Sequence, residues 1–393
     1  MSTITSIDHA ITPKSRPAFQ IDWEITYFCN LDCSYCGSHD NSTKHPDIDR
    51  CRKGIEFAFA YADIIMQSKK SYERAVSLNL LGGETLIHPE IVDILEYMRE
   101  LYETKYKNRW RLTTNITTNG VVGTNVLERC LPLLDYWVIS YHTESLPKQK
   151  KLAIDTIYTV KKSGKPCSVR LMMHKGPTNF AECQDLAKQL DQDGISYALK
   201  PIGATQNIHD NWDGKGVHSY TKDQTTHLMQ YWARPNNTSG NNITTPSSND
   251  VKMLEVDNRF VVATAGYPCC SEKPLCVNQD RKNPVIKIPM TGFKDWYCSV
   301  NWYFLFVKQS TEEVFHNKSC TAKLDGTLGP IGMLDQADKI LSTLQKQIDN
   351  KAMPVMRCPK LVCGCGMCAP KAEQQEVFDQ IMSAHIDNTV LLY

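Results

Sequence analysis

From about residue 18 to residue 204, short apolar runs alternate with longer amphipathic ones. Residues 19–26 read as a first strand, and 48–69 place Ile55, Phe59, Ala62 and Met66 on one helix face. A second strand is expected over 75–81. A helix over 88–106 follows, opened by Pro89 and carrying a stripe of Ile91, Ile94, Leu95, Met98 and Leu101. Strands three to six are expected at 110–117, 136–141, 168–173 and 196–201, with helices at 124–134, 147–163 and 179–192 between them. Such alternation calls for a parallel sheet with right-handed crossovers. Six units are too few for a closed eight-fold barrel.

Past residue 205 the pattern breaks. Residues 236–250 are polar and rich in turn formers, hence a loop, and 251–265 suit a hairpin around Asp257-Asn258. From Cys269 onward cysteine and aromatic residues are dense, with one clear helix near 334–349. The expected division is an N-terminal extension (1–17), an α/β barrel (18–205), a connecting region with the polar loop (206–268) and a cysteine-rich extension (269–393).

A chain of 393 residues holds a full core and a second module. Its formal net charge of +1 gives no electrostatic footprint for nucleic acid. The first 20 residues hold no basic-flanked apolar segment, and no apolar stretch is long enough to span a membrane, so a cytoplasmic protein is expected. Sixteen cysteines in a chain of this size, lacking a secretory signal, point to metal ligation rather than disulfides. Three lie near residue 30, three at Cys269, Cys270 and Cys276, and six between Cys298 and Cys368. Cys51, Cys130, Cys167 and Cys183 stand apart and read as small buried hydrophobes.

Cys29, Cys33 and Cys36 form a C-x3-C-x2-C run directly after the first strand. Structural zinc and ferredoxin-type clusters take four protein ligands. Three thiolates without a fourth suit a 4Fe–4S cluster with one open iron; the competing readings are a zinc site completed by His39 or His45, or a chance cluster. Gly82-Gly83-Glu84 follows strand two and Thr117-Thr118-Asn119-Gly120 ends strand three. Both stand where loops of a parallel barrel converge on one mouth.

On these motifs the chain resembles the radical S-adenosylmethionine (SAM) superfamily. The resemblance implies a partial (β/α)6 TIM-type barrel whose cluster chelates SAM through the open iron. Reductive cleavage would release a 5′-deoxyadenosyl radical that removes a substrate hydrogen atom. It implies that Tyr35 packs near the adenine and that Gly82, Gly83 and Glu84 hold the SAM amino group. Thr118 and Asn119 would sit beside SAM, Ser140 would contact the ribose, and Arg170 is a candidate partner for the SAM carboxylate. His142, Glu144 and His174 lie at strand ends and are candidates to face substrate, against a purely structural role. No catalytic acid or base is assigned.

Cys298, Cys320, Cys358, Cys363, Cys365 and Cys368 resemble in layout the SPASM and twitch extensions that hold auxiliary 4Fe–4S clusters. The final run, C-x4-C-x1-C-x2-C, departs from the SPASM core spacing. Six cysteines suffice for one auxiliary cluster, with Cys298, Cys320 and two of the last four as ligands, and zinc is the alternative. The implied function is radical modification of a peptide or protein side chain or of a small metabolite, with flavodoxin or ferredoxin as electron donor. The alternative is a non-catalytic iron–sulfur or zinc protein in electron transfer or assembly.

Overall fold

The computed structural model describes residues 18–36, 41–69, 74–202, 220–232, 254–256, 259–261, 295–298, 300–317, 328–350, 356–358 and 371–372. The expected N-terminal extension, the polar loop, His39, Cys269, Cys270, Cys276, Cys320, Cys363, Cys365 and Cys368 lie outside these residues.

Six parallel strands build the barrel: β1 (Phe19–Thr26), β2 (Ala75–Gly82), β3 (Arg111–Thr118), β4 (Tyr136–His142), β5 (Cys167–Met173) and β6 (Ser196–Pro201). They pair in sequence order. Helices α1 (Ile48–Gln67), α2 (Ile91–Leu101), α3 (Thr124–Cys130), α4 (Pro147–Lys162) and α5 (Pro177–Gln192) make the crossovers. The architecture is therefore α/β, a partial (β/α)6 barrel.

Strand alternation sets its two faces. Phe19, Ile21, Trp23 and Ile25 of β1 are fully buried, and so are Leu78 and Leu80 of β2 and Val169, Leu171 and Met173 of β5. The opposite, inward face is polar. There Asn79 Nδ2 donates to Asp22 Oδ1 (2.7 Å), and Asn115 Nδ2 donates to Asn79 Oδ1 (2.7 Å) and to Ser77 Oγ (2.9 Å). Cys51, Cys130 and Cys183 are fully buried, whereas Cys167 is only half-buried at the start of β5.

The helix expected over 88–106 is divided. Thr85–Ile87 form a 3-10 turn, α2 ends at Leu101, and Tyr102–Tyr106 continue as a π-helical turn. That wider turn brings Tyr102 and Tyr106 onto Trp110, with ring centroids 5.4 and 5.2 Å apart. The helix expected over 124–134 stops at Cys130, because Pro132 directs the chain into a short 3-10 turn over Leu131–Leu133.

After α6 (Lys222–Trp232), β7 (Leu254–Val256) and β8 (Arg259–Val261) pair antiparallel around Asp257-Asn258, as the sequence suggested. Next come β9 (Tyr297–Cys298), β10 (Phe304–Lys308), β11 (Glu313–Phe315) and β12 (Gly332–Met333). They are followed by α7 (Ala337–Asp349), β13 (Met356–Arg357) and β14 (Lys371–Ala372).

The chain returns to the barrel through β10, which pairs parallel with β1 and extends the sheet to nine strands in the order β12-β11-β10-β1-β2-β3-β4-β5-β6. Gln309 fixes this join. Its backbone N–H donates to Glu24 O (2.8 Å), its Oε1 accepts from Trp23 Nε1 (3.1 Å), and its Nε2 donates to Arg50 O (2.8 Å).

Candidate functional site

The loop leaving β1 carries Cys29, Cys33 and Cys36, and each neighbouring element grips it. The grip from β2 is made of backbone. Gly83 N–H donates to Thr26 O (2.7 Å) and Glu84 N–H to Phe28 O (2.8 Å). A Cβ on Gly82 would stand 2.5 Å from Thr26 O, and one on Gly83 2.4 Å from the carbonyl oxygens of Tyr27 and Phe28. The two glycines thus let β2 press directly against the root of the cysteine loop.

Glu84 is buried, and its carboxylate is engaged by this chain's own donors. Oε1 accepts from Leu86 N–H (3.0 Å) and Thr118 Oγ1 (2.8 Å), and Oε2 accepts from Asn119 N–H (2.6 Å). These bonds couple the end of β2 to the end of β3. Oε2 carries one bond, which leaves a lone pair for a further donor. Burial pushes the Glu84 pKa up, and the three hydrogen bonds oppose that shift.

From β3, Asn119 Nδ2 donates to Asn30 Oδ1 (2.8 Å) and lies 3.7 Å from Cys29 Sγ. Asn30 Nδ2 donates in turn to Val121 O (2.6 Å). Gly120 sits at φ +73°, the left-handed region that this turn requires.

The β4 end supplies the other half of the grip. His142 Nδ1 lies 2.8 Å from Tyr35 Oη and 3.4 Å from Cys33 Sγ, and the Tyr35 and His142 rings stack with centroids 6.0 Å apart. Glu144 accepts from Ser34 N–H (2.9 Å) and Ser34 Oγ (2.8 Å), and His174 Nε2 lies 3.3 Å from it. His174 Nδ1 accepts from Gly176 N–H (3.0 Å), so Nε2 is the protonated nitrogen facing Glu144. From α4, Gln149 Nε2 donates to Asn30 O (3.1 Å). Ser140 and Arg170 are register partners on β4 and β5, side by side on the inward face and two positions below His142.

The electrostatics favour a cationic occupant. Burial raises the Cys29 and Cys33 thiols, Cys33 to about 12. Their charged neighbours add to this: Glu84 and Cys36 for Cys29, and Cys36, Cys29 and Glu144 for Cys33. Thiols in such surroundings ionise when a metal supplies the missing positive charge. Zinc would need four donors within about 2.0–2.3 Å of one ion. Among the described residues no three His, Cys, Asp or Glu side chains converge in that way. His45, a proposed zinc ligand, has its Nδ1 3.0 Å from Thr26 Oγ1 and its ring against His88. Three thiols spread along a loop, two of them buried, fit a cluster that binds each at a different iron. Cys29, Cys33 and Cys36 would hold it, and the inward-facing donors around them would face what it binds.

The structure thus brings together Cys29, Cys33, Cys36, Tyr35, Gly82, Gly83, Glu84, Thr118 and Asn119, with Ser140 and Arg170 on the strands beyond His142. Sequence reasoning did not single out Asn30, Ser34 or Gln149, which tie the loop to β3 and α4. The signal for Asn30 and Ser34 was their place within the cysteine run, and Gln149 had none. In the C-terminal region, Cys298 is the register partner of Met356. Cys358 N–H donates to Trp296 O (2.8 Å) and Asp295 N–H to Cys358 O (2.7 Å). Cys298 and Cys358 are therefore diagonal neighbours on one face of the β13-β9-β14 sheet, both buried.

Comparison with known proteins finds similarity to part of this chain. Molybdenum cofactor biosynthesis protein 1 of Bos taurus is 31% identical over 111 residues, which are 28% of this chain and 14% of that protein's length. Among solved structures, native anSMEcpe with bound AdoMet is 14% identical over 54% of this chain and 60% of its own, with a TM-score of 0.38. Streptococcus suis SuiB is 12% identical over 84% of this chain and 68% of its own, with a TM-score of 0.45. Residues 23–190 match the profile of the radical SAM superfamily. The stretch that carries the cysteine loop, Glu84, Asn119 and the β4 and β5 edges is a radical SAM domain.

Proposed function

We propose that the protein is a radical SAM enzyme that acts on a peptide or protein side chain or on a small metabolite. Cys29, Cys33 and Cys36 hold a 4Fe–4S cluster in this reading, and the cavity-facing groups at the ends of β2 to β5 hold SAM. When bound there, SAM on the reduced cluster supplies a 5′-deoxyadenosyl radical that takes a hydrogen atom from a substrate C–H bond. Tyr35 flanks the adenine, the spare lone pair of Glu84 Oε2 receives the ammonium group, Thr118 and Asn119 line the site, Ser140 meets the ribose, and Arg170 meets the carboxylate. The observation that carries the reading is the cysteine loop gripped by β2, β3 and β4 at the barrel mouth, with Cys29 and Cys33 buried beside carboxylates.

Residues 269–393 are proposed to form an auxiliary-cluster domain of SPASM or twitch type. The diagonally neighbouring, buried Cys298 and Cys358 support it as two ligands of one further 4Fe–4S cluster, with Cys320, Cys363, Cys365 and Cys368 as the pool for the others. Zinc is the alternative metal there.

The test is anaerobic reconstitution with iron and sulfide, reduction by dithionite in the presence of SAM, and chromatography for 5′-deoxyadenosine. Its formation at a rate dependent on the cluster is the expected result. A protein that binds a full cluster at the trio yet yields none is instead a non-catalytic iron–sulfur protein.

A further inference from the structure

Reductive cleavage needs one electron per event, and the surface nearest the cysteine loop has a distinct composition. Cys33 is buried, but Asp32 and Ser34 on either side of it are exposed. Ser34 is bonded to Glu144, and Asn30 O accepts from Gln149, so the loop is joined directly to the first turn of α4.

At the start of that turn Leu146 is 66% exposed, one of two large hydrophobic side chains so exposed among the described residues. Pro147, Lys148 and Lys151 beside it are exposed too. Residues 146–165 contain six lysines and one aspartate, a net charge of +5 in a chain whose total is +1, which leaves −4 for the remainder. Lys150 is held by Glu182 (2.7 Å) and Lys151 by Asp155 (2.7 Å). Among the described residues, Asp32 and Glu144 are the acidic groups beside Ser34, the latter engaged by Ser34 and His174.

We propose that Leu146, Lys148 and Lys151 form the docking surface for the electron donor, a small acidic protein carrying a low-potential flavin or iron–sulfur centre. This rests on the radical SAM reading above. The carrier loses one electron and the cluster at Cys29, Cys33 and Cys36 gains it, with no bond made or broken at the interface. An exposed apolar side chain followed by exposed lysines at 148 and 151 suits a transient redox encounter, whose interfaces are small. Lys161, Lys162 and Lys165 at the far end of α4 extend the positive field, which steers an acidic partner at low ionic strength. An anionic lipid surface would also meet a basic face, but it has no reason to sit beside the cysteine loop.

The test compares wild type with L146S/K148E/K151E, both reconstituted, using photoreduced flavodoxin as the probe and stopped-flow absorbance of the cluster as readout. Wild-type reduction is expected to slow about tenfold between about 20 mM and about 300 mM NaCl. At the lower salt the variant is expected to be reduced about tenfold more slowly than wild type, while dithionite reduces both within about a factor of two. Equal flavodoxin rates for the two proteins, or binding of wild type to vesicles of anionic phospholipid at physiological salt that the variant loses, would overturn the proposal. The flavodoxin arm reads cluster reduction rather than turnover. A wild type that dithionite reduces without forming 5′-deoxyadenosine therefore overturns the radical SAM reading, and the docking surface is still judged on its own rates.

Discussion

Around Cys29, Cys33 and Cys36 the ends of β2, β3 and β4 each contribute a bond to the loop, whereas Cys298 lies on a two-residue strand and Cys358 directly follows another. The first group stands on a continuous sheet with one fully buried face, so the positions of its thiols are set by the barrel's own packing. Among the described residues the second group has a three-stranded sheet with two register pairs on each side of β9. Small cysteine-rich units of that kind draw much of their folding energy from the metal they bind. The contrast therefore predicts one site that survives metal loss and one that does not.

The strongest way to break this comparison is to empty each site in turn. Replacing Cys29, Cys33 and Cys36 together by alanine is expected to remove about four irons per chain and to abolish 5′-deoxyadenosine formation. Circular dichroism should show the barrel still folded and the C-terminal metal retained. Cys298→Ala should have the converse effect, losing the second metal and the protease resistance of residues beyond 295 while the first cluster stays. Loss of both metals in either variant, read by iron and zinc quantification, would mean that the two regions do not fold separately.

Glu84→Ala is the next largest expected effect, and it tests how the mouth is held. The substitution strands three donors, Leu86 N–H, Thr118 Oγ1 and Asn119 N–H, at a position almost closed to water. A cost of about 3–5 kcal/mol in unfolding free energy is expected, measured by urea denaturation. The cluster should bind more weakly as well, because Asn119 is then free to leave Cys29 and Asn30. If stability is unchanged and only SAM affinity falls, Glu84 serves the ligand rather than the strand ends.

The barrel was legible in the sequence because its signals are local. Alternating strands, amphipathic helices and motifs at strand ends are all written within windows of about twenty residues, and the cysteine loop follows β1 without a break. The grip on that loop was only partly legible. Glu84 and Asn119 could be singled out by motif, but Ser34–Glu144 and Asn30–Gln149 join residues more than a hundred positions apart through ordinary polar side chains. The tight approach of Gly82 and Gly83 to the carbonyls of Thr26, Tyr27 and Phe28 was not legible either. The pairing of β10 with β1 was not legible at all. A strand pattern shows that a run is extended without showing which edge it will join, and some 280 residues separate the two.

A pH series sharpens the comparison at a smaller scale. His316, just past β11, is fully buried, and neither ring nitrogen has a hydrogen-bond partner. Burial pushes its pKa down to about 4. A group whose folded pKa lies below its unfolded value of about 6.5 leaves stability intact above that pH and erodes it as pH falls toward 4. The expected loss is about 2 kcal/mol by pH 5. His316→Leu should remove that share of the slope, and hydrogen exchange in Phe304–Lys308 should report it. A residual slope from His142, also pushed down to about 4, should persist because that side chain belongs to the mouth. An unchanged slope in the variant would show that His316 is not the group that titrates.

The smallest expected effect concerns the seam between the two regions. Arg50 on α1 and Glu312 in the β10–β11 turn form an ion pair of 2.7 Å, with side chains 41% and 34% exposed. Gln309 crosses the same seam but is fully buried, and its amide is bonded on both sides. If attachment of the C-terminal part were electrostatic, Arg50→Ala would loosen it markedly and salt would do the same. Exposed pairs contribute only about 0.2–1 kcal/mol and are screened by salt, whereas the β1–β10 ladder and the Gln309 amide are shielded from it. Arg50→Ala is therefore expected to cost about 0.5 kcal/mol at low salt and almost nothing at about 1 M NaCl, as read from denaturation midpoints. A cost of several kcal/mol that persists at high salt would mean that Arg50 holds the join by packing against the turn rather than by its charge.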